Sequence, residues 1–371
     1  MGSQTRLHSV DRMFVRGRIG PRSFYCSRPF GEGSRMPKGK TLKLFTGNAN
    51  RPLAERVAAY IGQPLGDVEV GRFPGGEVKV KFREDVRGCH VVIVQPTNEP
   101  ETNLKELKLM TSAARGSSAK CVTAVISYYG YGRQDRKDQP RVPISARLVA
   151  DEIAAAGAHN VVLLDLHSAA ITGFFPLLTC NVDHLYSRPV FVGALRHLGL
   201  TELRCGTPDV GRAKVGQSYM RRLQHGIFFA VKGDDLQRAG STIIIGDVDG
   251  MDCLIIDDEI STGGTIRDAS NALKTAGANR IYVAASHGKC VEDAPEILAA
   301  CPVDRFFIGD SVRVPSGVAA TLGKERLTCV TFAPLLGEAI RHIHDDESVS
   351  VLFDDALIAR LYDGNYVIEP F

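Results

Sequence analysis

No stretch of the 371 residues stays apolar for the roughly 20 positions a helix needs to cross a bilayer, which excludes a chain that spans the membrane by helices. Paired cysteines are also missing. The nine cysteines (26, 89, 121, 180, 205, 253, 290, 301 and 329) stand far apart, and no two share a Cys-x-x-Cys spacing. An odd, scattered set fits neither a disulfide framework nor a zinc knuckle, so reduced and mostly buried thiols are expected. A dominant charge is lacking too. With 45 Lys and Arg against 42 Asp and Glu, the net +3 gives no ground for a nucleic-acid binder. What is present is ordinary for a globular protein: 44% hydrophobic residues, 23% charged residues, and length enough for about two domains.

Residues 1–40 stand apart. They hold seven Arg and two Lys against Asp11 and Glu32, net +7, with no sustained apolar period. The remainder of the chain is therefore −4. A basic, acid-poor, Ser-containing start has the composition of an organellar transit segment, and equally that of a disordered basic tail. A cytoplasmic protein is expected, or an organellar one if this segment is an address.

From Leu42 onward, short apolar runs alternate with helical stretches. Strands are expected at Val91–Gln95, Val122–Ser127, Val161–Leu166, Thr242–Ile245, Leu254–Ile256, Ile281–Ala285 and Arg305–Ile308. Helices are expected at Pro52–Ile61, Leu104–Ala114, Ser145–Ala156, Ile266–Ala276 and Pro334–His344, with Gly62, Gly157 and Gly277 as left-handed caps. Strands apolar on both faces and separated by helices imply parallel sheets covered on both sides. An internal repeat is also visible. Ala156-Gly157-Ala158 with the strand ending at His167 matches Ala276-Gly277-Ala278 with the strand ending at His287, 120 residues later. Both histidines then fall at carboxyl ends of strands, where open parallel sheets gather ligands.

The strongest motif is the apolar run from Cys253 that ends in Asp257-Asp258-Glu259 and is followed by Ser261-Thr262-Gly263-Gly264-Thr265 and a helix. The small-residue turn can wrap its N–H groups round a phosphate at a helix N-terminus, and the carboxylates can accept from sugar hydroxyls or hold Mg²⁺ through water. A ribose 5-phosphate moiety fits this layout; an acidic cap on an ordinary helix is the plainer alternative. With the 120-residue register, the first-half counterpart is Lys137 to Ser145, which has neither acidic pair nor glycine. Tyr128 to Asp138 is an aromatic and basic loop suited to a base and phosphates, or simply a solvated one. Asp165-Leu166-His167 can meet a metal or a phosphate, or be structural. Thr207-Pro208-Asp209 and Arg72-Phe73-Pro74-Gly75-Gly76-Glu77 are weaker turns of the same kind.

Together these stretches, with Gly173-Phe174-Phe175, Val182-Asp183-His184-Leu185 and Glu347 to Phe353, resemble the ribose-phosphate pyrophosphokinase family from about Leu42 to Phe353. The resemblance implies an α/β fold of two tandem phosphoribosyltransferase-like domains, each a largely parallel sheet flanked by helices. Boundaries of 41–184 and 185–353 are expected, with 1–40 and 354–371 as extensions. It implies transfer of pyrophosphate from ATP to ribose 5-phosphate to give phosphoribosyl pyrophosphate (PRPP) and AMP, with Mg²⁺ as cofactor. It also implies a homo-oligomer of dimers assembled to a hexamer, with no nucleic-acid or membrane partner. Carried over by position, Phe73, Gly75, Glu77, Arg133, Gln134 and Asp138 would contact ATP. Asp257 and Asp258 would hold the ribose hydroxyls, and Ser261, Thr262, Gly263, Gly264 and Thr265 the 5-phosphate. His167 and Asp209 would attend the metal, and Lys232 would be the catalytic lysine.

The chain departs from the family pattern in several places. Arg212 follows Asp209-Val210-Gly211, Asp234 replaces the arginine two residues after Lys232, Gly75 stands where Asn or Asp is common, and Ser261 stands where Asp is usual. The altered Lys232–Asp234 stretch keeps open a non-catalytic regulatory subunit. The phosphate turn alone would also serve a transferase that consumes PRPP.

Overall fold

The computed structural model describes residues 41–369 apart from 209–212, 224–225 and 233–241. Residues 38–371 form one compact unit. The transit or tail expectation for residues 1–40 lies outside the described residues.

The chain first lays down β1 (Leu42–Thr46), α1 (Arg51–Ile61) and a hairpin of β2 (Val68–Arg72) and β3 (Val78–Phe82). It continues through β4 (His90–Val94), α2 (Thr102–Gly116), β5 (Cys121–Ile126), α3 (Ser145–Ala155), β6 (Asn160–Leu164) and β7 (Asn181–Leu185). The strands β1-β4-β5-β6-β7 form an all-parallel sheet. After α4 (Arg188–His197) the plan recurs: β8 (Arg204–Thr207), α5 (Ala213–Leu223), a hairpin of β9 (Ile227–Lys232) and β10 (Thr242–Ile245), β11 (Cys253–Ile260), α6 (Gly264–Thr275) and β12 (Ile281–Gly288). Then follow α7 (Ala294–Ala300), β13 (Arg305–Gly309), α8 (Ser316–Arg326), β14 (Leu327–Val330), α9 (Ala333–His344), α10 (Asp355–Tyr362) and β15 (Val367–Ile368). The second sheet runs β10-β9-β8-β11-β12-β13-β14-β15, parallel except for the two edge strands.

The expected strands and helices are all present, with ends moved by a few residues. Gly62, Gly157 and Gly277 adopt the left-handed φ of 77°, 105° and 90° that the caps require. Alternate residues of each inner strand feed different cores. In β4, Val91 and Ile93 pack with α2 and α3, whereas Val92 and Val94 face a middle layer. In β11, Cys253 and Ile255 meet α6, whereas Leu254 and Ile256 enter that same middle layer with α1, α4 and α9. Both faces of these inner strands are thus buried, which is why they read as continuous apolar runs.

The repeat is real, but its register differs from the 120-residue spacing. Strand order pairs β1-β4-β5-β6 with β8-β11-β12-β13, so the counterpart of β12 is β5 and not β6. Helix, left-handed glycine and buried strand is a unit that recurs throughout such a fold, so the local match joined neighbouring units rather than equivalent ones. The counterpart of the 257–265 stretch is Gln95 to Thr102, the turn from β4 into α2, and it too lacks the acidic pair and the glycines.

Candidate functional site

The carboxyl ends of β5 and β6 face those of β11 and β12, and side chains bond across between them. His167 Nδ1 lies 2.8 Å from Asp258 Oδ2. Tyr128 donates its hydroxyl to Glu259 Oε2 at 3.0 Å. His287 Nε2 lies 3.1 Å from the carbonyl of Asp165, and Ser286 donates to the Asp165 carboxylate. Asp165 holds a left-handed φ of 47°, sparsely populated for a non-glycine residue, at the point where β6 ends. Ser187 donates to the same carboxylate, so two hydroxyls fix it.

The acidic pair does not follow its strand but belongs to it. β11 runs through Ile260 because β12 is long enough to pair with Glu259 and Ile260 through His287 and Gly288. Asp258 and Glu259 are consequently buried, and Asp257 is half-buried and accepts the amide of Asp258 at 2.9 Å. Burial pushes the phenol of Tyr128 well above its ordinary range, and the Glu259 charge adds to this, so Tyr128 stays a donor.

The turn after β11 is tied from behind: the amides of Cys290 and Val291 donate to the carbonyls of Ile260 and Ser261, each at 3.0 Å. Gly263 closes it with φ 81° and caps α6, and among the described residues its cap position makes no side-chain hydrogen bond. The first amides of α6 are therefore left for a ligand, at the positive end of the helix dipole. A side chain on Gly263 would meet Ile297 and Leu298 at 3.3 and 3.2 Å, whereas one on Gly264 would find no protein atom nearer than 3.8 Å. Thr262 and Thr265 are exposed and Ser261 is half-buried beside that open space.

The residues expected to contact ATP fall in two places. Phe73, Gly75 and Glu77 form the tip of the β2–β3 hairpin, closed by Phe73 N–H to the Glu77 carbonyl at 2.8 Å, with Phe73 49% exposed. Among the described residues neither Phe73 nor Glu77 bonds to the seam. Arg133, Gln134 and Asp138 lie on the exposed loop between β5 and α3, and only Arg133 reaches the seam, 3.6 Å from Glu259. Gln134 instead accepts from Ser145 at the start of α3. Lys232 ends β9, paired in the ladder with Thr242, and Asp209 lies outside the described residues.

The two histidines of the apparent repeat part company. The side chain of His167 is 43% exposed. His287 is buried, bonded to Ser311 and Asp165 and packed edge-on against Tyr128 at 5.0 Å, so it is a strut of the seam. Glu259 and Lys289 were not legible as site residues; three successive acids in an apolar strand were the signal available for the first. Among the described residues no three His, Cys, Asp or Glu side chains cluster to hold a metal. The oxygen donors of Asp257 and Asp258, the latter 2.8 Å from His167, are of the kind that holds a hard divalent cation together with waters and substrate phosphates.

Known proteins resemble this chain in sequence and fold. Residues 42–157 match the family described as the N-terminal domain of ribose phosphate pyrophosphokinase, and residues 236–354 match the phosphoribosyl synthetase-associated domain. The chain is 39% identical over 321 residues to the ribose-phosphate pyrophosphokinase of Chlorobaculum tepidum, covering 86% of this chain and 97% of that one. It is 42% identical over 319 residues to that of Granulibacter bethesdensis, covering 84% and 100%. The crystal structure of phosphoribosylpyrophosphate synthetase from Mycobacterium smegmatis superposes with a TM-score of 0.75 at 35% identity, covering 83% of this chain and all of that one.

Proposed function

Because the chain belongs to the ribose-phosphate pyrophosphokinase family, we propose that it transfers the β,γ-pyrophosphoryl group of ATP to the C1 hydroxyl of ribose 5-phosphate, giving PRPP and AMP. The C1 oxygen forms a bond to the β-phosphorus, the bond from that phosphorus to the α-bridging oxygen breaks, and the hydroxyl proton is released. The observation that carries the reading is the uncapped α6 N-terminus placed directly after the acidic strand end, facing Arg133 and His167 across the seam.

The turn from Ser261 to Thr265 receives the 5-phosphate with backbone amides and hydroxyls. Asp257 and Asp258 accept from the ribose hydroxyls and so aim C1 toward the polyphosphate. Asp258 is held for this by His167. Arg133 faces the polyphosphate and, with Lys232 from the end of β9, offsets the charge that builds on the transferred group. The hairpin tip with Phe73 and Glu77 offers a ring and a carboxylate for the adenine. Mg²⁺ would be held by Asp257, Asp258 and His167, joined by Asp209 as the family resemblance implies, and would neutralise polyphosphate charge when bound.

The test is direct. Purified protein given ribose 5-phosphate, ATP and Mg²⁺ should release AMP and form PRPP in equal amounts, and Lys232→Ala should lower kcat far more than it raises either KM. Folded protein that releases no AMP above a blank would leave the regulatory-subunit reading in its place.

A further inference from the structure

Glu259 takes no part in the mechanism above, yet it is a carboxylate buried at the centre of the site, its side chain 6% exposed. One oxygen accepts from Tyr128. The other, Oε1, accepts no hydrogen bond among the described residues and stands between two cations, 3.6 Å from Arg133 and 3.5 Å from Lys289. A carboxylate is costly to bury where two polyanions must bind unless it is matched, and here two positive charges face it. Those cations differ in what they have left to give. Lys289 is 14% exposed and is shared among Glu259, Glu99 at 3.2 Å and the Tyr128 hydroxyl at 3.4 Å. Arg133 is 60% exposed and donates no hydrogen bond among the described residues, so its guanidinium donors remain open to a ligand.

We propose that Glu259 is a positioning residue for Arg133. It draws the guanidinium of the β5–α3 loop onto the strand that carries Asp257 and Asp258, without consuming its donors. Lys289 cancels the carboxylate's charge, so that the crevice still accepts a polyphosphate. The ATP-side loop and the ribose-phosphate strand are thereby held in one register. This inference rests on the proposed reading that Arg133 contacts ATP.

Glu259→Gln keeps the acceptor for Tyr128 and removes the charge that holds Arg133. Holding one long side chain is worth about 0.5–1.5 kcal/mol, so KM for ATP should rise roughly three- to tenfold. KM for ribose 5-phosphate should stay within about twofold, because the phosphate turn is untouched. Arg133→Met and the double variant complete a cycle: in the Arg133→Met background, Glu259→Gln should change nothing further. Titration calorimetry with a non-hydrolysable ATP analogue on the same four proteins gives the same comparison if turnover is too slow to measure. A loss seen only when Arg133 is present supports the proposal. An equal loss in both backgrounds, or no loss in either, overturns it. Native protein that makes no PRPP would instead refute the parent reading, so the two failures are distinct.

Discussion

Asp258 is buried on β11 yet must serve a polar ligand, and His167 at 2.8 Å is what keeps its carboxylate aimed. A hydrogen bond to a charged group contributes about 1.5–3 kcal/mol, so Asp258→Asn should raise KM for ribose 5-phosphate by roughly 10- to 150-fold, measured by the release of AMP. The cysteines behave oppositely, as apolar filling. Burial pushes the thiols of Cys205, Cys253, Cys290 and Cys329 up to about 12 and that of Cys180 to about 11. At pH 8 the native protein should leave these five unmodified by iodoacetamide and expose them only in denaturant, read by mass spectrometry. Because their folded values lie above the ordinary thiol value of about 8.5, the folded state keeps its full advantage below that pH and loses it as pH climbs toward 12. The thermal midpoint should accordingly fall as the solution is made alkaline above about pH 9.

At the scale of the element, the turn after β11 separates folding from binding at adjacent glycines. Gly263→Ala forces a left-handed alanine against Ile297 and Leu298 and should cost about 1–2 kcal/mol of stability. Gly264→Ala meets no protein atom under 3.8 Å and should leave the thermal midpoint in place while raising KM for ribose 5-phosphate. This turn was legible in the sequence because it combines several rare features, namely an apolar strand, an acidic pair and two glycines before a helix. The true end of β11 was not legible. Local propensity stops a strand at successive aspartates, but pairing with β12 and the partners His167, Tyr128 and Lys289 carry it on to Ile260. The hairpin β2–β3 was missed for a similar reason: its short, charged and half-exposed strands lack the apolar run that marked the inner ones. Of the β9–β10 hairpin, β10 was expected at Thr242–Ile245, whereas β9 was missed although Ile227 to Val231 is apolar. The repeat was seen but set in the wrong register, since its Gly-capped units look alike and only strand order tells them apart.

Across the whole molecule, the halves are joined by more than the site. Asp310, fully buried at the end of β13, receives Arg56 from α1 at 3.1 Å, the Thr331 hydroxyl at 2.7 Å and the Phe332 amide at 2.8 Å, while its own carbonyl accepts from Asn50 at 2.8 Å. Burial pushes its carboxyl upward, against the pull of Arg56 and these donors. Asp310→Ala leaves the half-buried Arg56 without this partner and the Thr331 hydroxyl and Phe332 amide without this acceptor, and should cost about 1–3 kcal/mol, read as a lower urea midpoint. Charge was informative at this scale as well: the body from residue 41 onward is net −4, and the positive surplus belongs to residues 1–40.

The middle apolar layer, to which β4 and β11 each lend alternate residues, carries a consequence for modularity. A chain built from two copies of one plan invites the expectation that each copy could be expressed alone, shuffled or replaced. Here each would emerge with one side of its sheet stripped, exposing Val92 and Val94 in one fragment and Leu254 and Ile256 in the other. Such fragments should aggregate singly and recover solubility only when produced together, so the duplicated plan has become a single heritable unit that cannot be cut at its own seam.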